Sequence, residues 1–123
     1  MTDTAETNYP ARYAHLNGAI GRLAQKIPGP LGAFMTMQQK AIAPGALSPS
    51  AKELIALGIA ISVRCDGCIA FHVHDALKAG ATAAEVEETI GVAILMGGGP
   101  SLMYGTEAFE ALEQFQAAGA SSL

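Results

Sequence analysis

Apolar residues recur at intervals of three and four along most of the chain, the spacing of helices that bury one face. Tyr13, Leu16, Ile20 and Leu23 carry this period from Ala11 to Lys26, with Ile27 just beyond. Pro28-Gly29-Pro30 interrupts it, because Pro and Gly are the strongest local breakers. A second helix is predicted from Leu31 to Ala43. It is apolar at Leu31, Phe34, Met35, Met37 and Ile42 and more polar at Gln38-Gln39-Lys40, and Pro44-Gly45 ends it.

Ser48-Pro49 is a helix start, with Ser at the N-cap and Pro at the first helical position. The third helix runs from Pro49 to about Val63. It is apolar nearly all round after Glu53, which predicts a central place in the core. Asp66-Gly67 is a turn signal, and a fourth helix is predicted from Gly67 or Cys68 to Lys78, with Gly80 suited to its C-terminal cap. Thr82-Ala83-Ala84-Glu85 reads as a capping box and opens a fifth helix to about Met96. Gly97-Gly98-Gly99-Pro100 breaks the pattern, and a sixth helix runs from Pro100-Ser101 to Ala117 or Ala118. Gly97-Gly98-Gly99 lacks the Lys-Ser/Thr of a phosphate loop and the spacing of a dinucleotide loop, so a turn between packed helices is expected. No alternating run is long enough for a strand. The expectation is all-α: a bundle of about six helices in one domain over residues 1–123, with a flexible arm at 1–10 and a short tail at 119–123.

Composition narrows the function. Of 123 residues, 50% are hydrophobic and 15% charged, a balance that excludes intrinsic disorder. Much of the apolar content is Ala and Gly, and small side chains let helices approach closely. Surplus apolar surface on so small a domain suits contacts between subunits, so a homo-oligomer is expected. Net charge is −4, with no Lys/Arg run to bind nucleic acid or an anionic membrane. The opening segment is polar and acidic, unlike a secretory signal, and the most apolar span, Leu54 to Val63, is about half the length that crosses a bilayer. A cytoplasmic location follows as the expectation. There a CxxC is more often redox-active or metal-binding than a structural staple.

The only two cysteines are Cys65 and Cys68. Cys68 falls in the first turn of the fourth helix, where the partial positive charge favours thiolate over thiol. His72 lies four residues on, hence on the same face one turn along, within reach to take the thiol proton. Cys65, just before the helix, can fold back and close a disulfide. Cys68 is then the attacking sulfur and Cys65 the resolving one, through a sulfenic acid with a peroxide or a mixed disulfide with a disulfide substrate. Two alternatives stay open at this point. The cysteines could simply pack, reduced, in a core. They could also hold zinc with His72, although no fourth ligand is evident and His74 points away on a helix. His74 and His15 are read as satisfied core histidines. A thioredoxin fold fits poorly, because its CxxC follows a strand and helices flank this one on both sides.

The stretch Glu53-x11-Cys65-x2-Cys68-x3-His72 resembles the active-site signature of the alkyl hydroperoxidase D-like proteins of the carboxymuconolactone decarboxylase superfamily. The similarity continues through Lys78-Ala79-Gly80-Ala81-Thr82 and on to Gly97-Gly98-Gly99-Pro100, covering roughly residues 45–112. The resemblance implies an all-helical trimer or hexamer with thiol peroxidase or disulfide reductase activity. It implies Cys68 as the peroxidatic sulfur, Cys65 as the resolving one, and His72 with Glu53 as a proton relay. No cofactor beyond a redox-active Cys65–Cys68 disulfide is implied, and no metal. The implied partners are a hydroperoxide or disulfide substrate and a thiol electron donor: a lipoyl protein, a thioredoxin-like protein or a small thiol. Gly67 stands where the family's better-studied enzyme carries a further histidine.

Glu53 is the hardest member to place on physical grounds. It precedes Cys65 by 12 residues, about 18 Å along a straight helix. A chain reversal at Arg64 to Gly67 with simple antiparallel pairing puts His72 opposite about Gly58, over a turn short of Glu53. A tilt, a bridging water or a neighbouring subunit would have to close that gap. Two other functions stand beside the redox reading. One is a non-redox lyase of the carboxymuconolactone decarboxylase type, which needs no neighbouring thiols. The other is a zinc-binding or purely structural oligomer.

Overall fold

The structure, a computed structural model, describes residues 6–119. Six helices follow one another: α1 (Tyr9–Lys26), α2 (Pro28–Ile42), α3 (Pro49–Ser62), α4 (Asp66–Lys78), α5 (Ala83–Gly97) and α6 (Gly99–Ala117). The described residues contain no strand. The all-α architecture expected from the periodicity is therefore what the chain adopts.

The capping chemistry sets the boundaries. Ser48 Oγ accepts from the Ala51 N–H, and Thr82 and Glu85 complete the capping box in both directions. Several ends differ from the expectation. Asn8 Oδ1 accepts from the Ala11 N–H with Pro10 in the first turn, so α1 begins at Tyr9. Pro28-Gly29-Pro30 does not separate α1 from α2 by a loop. Pro at the first helical position needs no N–H partner, so the break shrinks to Ile27 and α2 starts at once. The three-glycine break is likewise one residue, Gly98 (φ 68°), which caps both α5 and α6.

The expected arm at 1–10 is also revised at its inner end. Tyr9 is a core residue, and its N–H donates to Gln114 Oε1 at 2.6 Å. Residues 1–5 of that arm and 120–123 of the expected tail lie outside the described residues.

The core is built by α3, α4, α5 and α6 from Leu57, Ile61, Ile69, Val73, Val86, Ile90, Leu112 and Phe115. α1 lies across α4 and α6. α3 packs on α4 and α5 as its apolar character predicted, but one face remains open, with Ile55, Ile59 and Val63 exposed. α2 buries no residue at all. Among the described residues no helix is long and apolar enough to cross a membrane.

Candidate active site

The α3–α4 turn positions the chemistry. Arg64 has φ 62°, the left-handed conformation that usually falls to Gly at a helix C-terminus. The Arg64 N–H donates to the Ile61 carbonyl and the Cys65 N–H to the Ala60 carbonyl, which is a Schellman motif. That motif ends α3 and delivers Cys65 directly as the N-cap of α4. The Cys68 N–H donates to Cys65 Sγ at 3.2 Å. The two sulfurs are joined in a disulfide, with Cα atoms 5.2 Å apart. Both cysteines are half-buried, so neither reduced core packing nor a three-ligand zinc site on the thiolates describes this state.

α4 begins at Asp66, slightly earlier than expected, and this moves the mirror point of the α3–α4 hairpin to Arg64. His72 then faces Ala56 in simple antiparallel pairing. Three residues, about 4.5 Å of helical rise, separate Ala56 from Glu53, and two extended side chains span that. The Nδ1–H of His72 accordingly donates to Glu53 Oε1 at 2.7 Å, because a carboxylate can only accept. No water and no second subunit is needed for this contact. Glu53 is only 5% exposed, not the surface carboxylate that its place near a helix start suggests. Two pairs therefore lie along the α3–α4 hairpin of one chain: the Cys65–Cys68 disulfide at the turn, and His72 with Glu53 further from it, His72 one helical turn beyond Cys68.

Of the residues around these four, His74 is read from the sequence, whereas the Arg12–Asp66 pair and Leu16 beside Gly67 carry no sequence signal that singles them out. His74 is buried, stacks on Tyr13 with centroids 3.9 Å apart, and meets Phe115 edge-on. Its Nδ1–H donates to Asp75 Oδ1 at 2.8 Å. It is the satisfied core histidine expected, whereas His15 is exposed on α1 and fills no core position. Asp66 pairs with Arg12 at 3.0 Å on the surface, and Leu16 lies against the CxxC loop, where a Cβ on Gly67 would approach its Cδ1 to 3.2 Å. The space beside Gly67 is therefore filled from α1. An apolar groove of about 420 Å3 between α3 and α5, lined by Leu54, Ile55, Ile59, Val92 and Met96 among others, includes none of the four candidate residues.

The sequence model of the carboxymuconolactone decarboxylase family matches residues 28–111. The chain belongs to that family. A carboxymuconolactone decarboxylase family protein from Legionella pneumophila has a crystal structure similar to this one, with TM-score 0.83 and 39% identity. The match covers 87% of this chain and 96% of that one. A crystal structure from Thermotoga maritima is similar at TM-score 0.66 and 28% identity, over 70% of this chain and 78% of that one. An uncharacterized protein of Cupriavidus necator is 37% identical over 109 residues, covering 86% of this chain and 96% of its own length. The family match takes in α2 to α5 and most of α6, hence all four candidate residues, and leaves out α1.

Proposed function

We propose that this family member is a thiol-dependent peroxidase or disulfide oxidoreductase of the alkyl hydroperoxidase D-like kind. The observation that carries the reading is a Cys65–Cys68 disulfide at a helix N-terminus with His72, held by buried Glu53, one turn above Cys68. In the reduced protein His72 takes the Cys68 proton. The thiolate attacks one oxygen of a hydroperoxide, the O–O bond breaks, and the alkoxide leaves as an alcohol with the proton from His72. Cys68 becomes a sulfenic acid. Cys65 attacks that sulfur, water departs, and the disulfide forms. Two thiols of a donor then restore the dithiol through a mixed disulfide and are themselves oxidised to a disulfide. Glu53 acts through His72, fixing the ring and balancing the imidazolium.

Reduced protein mixed with one equivalent of organic hydroperoxide and analysed by mass spectrometry tests this. The expected result is loss of two thiols per chain. Cys68→Ser should consume no peroxide, and Cys65→Ser should stop at a sulfenic acid or mixed disulfide on Cys68. Full turnover by Cys68→Ser would end the proposal. Lactone decarboxylation, the activity in the family's name, has no use for a thiol pair, so a Cys65→Ser/Cys68→Ser variant separates the two chemistries.

The same reading includes a homotrimer or homohexamer. Phe34 is 62% exposed and Leu95 and Met96 are each 78% exposed, a large apolar surface for so small a domain. Mass photometry at nanomolar concentration checks it. A cytoplasmic setting also suits the cycle, which needs thiol donors to reopen the disulfide.

A further inference from the structure

The hairpin geometry that brings His72 to Glu53 does the same for a residue the redox cycle does not use. Glu53 lies 11 residues before Arg64 and Asp75 lies 11 after it, so the two face one another across the hairpin. Asp75 follows His72 by three residues and therefore shares its face of α4. One ligand atom from each of Glu53, His72 and Asp75 can be chosen so that all lie within 4.8 Å of one another. Two carboxylates and an imidazole are a donor set for a divalent cation such as zinc.

We propose that Glu53, His72 and Asp75 form a zinc site of their own, separate from the cysteines. Four points favour it. Zinc–ligand bonds of about 2.1 Å at tetrahedral angles place two ligand atoms about 3.4 Å apart, so closure asks the widest pair to approach by at most about 1.4 Å, within the reach of side-chain rotation. Glu53 is buried and the side chains of His72 and Asp75 are 21% and 24% exposed, which gives the ion a fixed floor and a solvent-facing side for water ligands. Asp75 is oriented from behind by the His74 Nδ1–H, and His74 by its stack on Tyr13, as the supporting groups of metal ligands commonly are. A carboxylate on one helix with an i, i+3 pair of His and carboxylate on its neighbour is also how helical bundles assemble metal sites.

The site has a regulatory meaning that rests on the proposed redox cycle. Whichever ring nitrogen zinc takes, the imidazole must carry its proton on the other one. The ring then has no lone pair left for the Cys68 proton, and the cation switches the relay off. The binding itself does not depend on that cycle.

Zinc titration by calorimetry into the full-length Cys65→Ser/Cys68→Ser variant tests the site without thiol ligands. One zinc per chain is expected, with affinity at least tenfold weaker in the same background carrying Asp75→Asn or, as a second variant if that one misfolds, His72→Gln. No saturable binding, or equal affinity in whichever of these variants folds, would overturn the site. Because the thiol-free protein cannot turn over peroxide, a failed redox reading leaves the titration interpretable, and an absent zinc site leaves the redox reading intact.

Discussion

Glu53→Gln isolates what the buried carboxylate contributes. The substitution preserves shape, and the Gln Oε1 can still accept from the His72 Nδ1–H, so the ring keeps its orientation. What disappears is the negative charge 2.7 Å from a ring that must become imidazolium when Cys68 gives up its proton. A hydrogen bond to a charged group contributes about 1.5–3 kcal/mol. The neutral bond that Gln keeps contributes about 0.5–1.5 kcal/mol, so about 1–1.5 kcal/mol is lost when the imidazolium forms, and the rate of thiol oxidation falls about 5- to 13-fold, at 1.36 kcal/mol per decade. Stopped-flow mixing of the reduced variant with an organic hydroperoxide measures it, with circular dichroism as the check on folding. A rate within twofold of wild type in a folded variant would refute the relay and leave Glu53 a packing residue.

Three further outcomes follow from the same structure. Burial first, and then the Asp66 and Glu110 carboxylates nearby, hold the Glu107 carboxyl above its usual range despite its bond from Tyr9. A raised carboxyl stabilises the fold below its unfolded value and loses that contribution as pH rises through the folded one, so Glu107→Gln should raise the thermal midpoint at pH 7 and leave it nearly unchanged near pH 3. A thermal scan across that range decides it, and an equal gain at both pH values would contradict the sign. Gly105→Ala would set a Cβ 2.9 Å from Ile90 Cγ2 where α6 crosses α5, and urea unfolding should show a loss of about 1–3 kcal/mol. Leu57→Ala, at a fully buried position, should lose about 2–5 kcal/mol in the same assay.

Much of this is legible in the sequence alone, and the reason is local chemistry. Ser48-Pro49, Thr82 with Glu85, and Gly80 announce helix ends because each satisfies backbone groups within a few residues of itself. Pro10 and Pro28 misled for a related reason. Proline marks both the end of one helix and the first turn of the next, and only the neighbouring cap, Asn8 or Ile27, tells which. Cys68 and His72 could be joined by helical period alone. Glu53 could not, because its partner depends on where the α3–α4 turn is centred, and a shift of one residue there moves the facing position by two. The exposure of Ile55, Ile59 and Val63 was hidden because composition reports that a helix is apolar and not whether the chain has enough partners to cover every side of it.

The contact between the start of α1 and the end of α6 has a topological consequence. The Tyr9 N–H donates to Gln114 Oε1 and Gln114 Nε2 donates to the Thr7 carbonyl, so the two outermost helices are stitched side by side. A short linker from Gly119 to Glu6 would leave that seam undisturbed. New termini opened in the exposed stretch between Ile42 and Ser48 would then yield a circular permutant in which α3 leads the chain. The CxxC hairpin would be made first in such a protein, with α1 and α2 following last, yet Cys65 would still pair with Cys68 and His72 with Glu53.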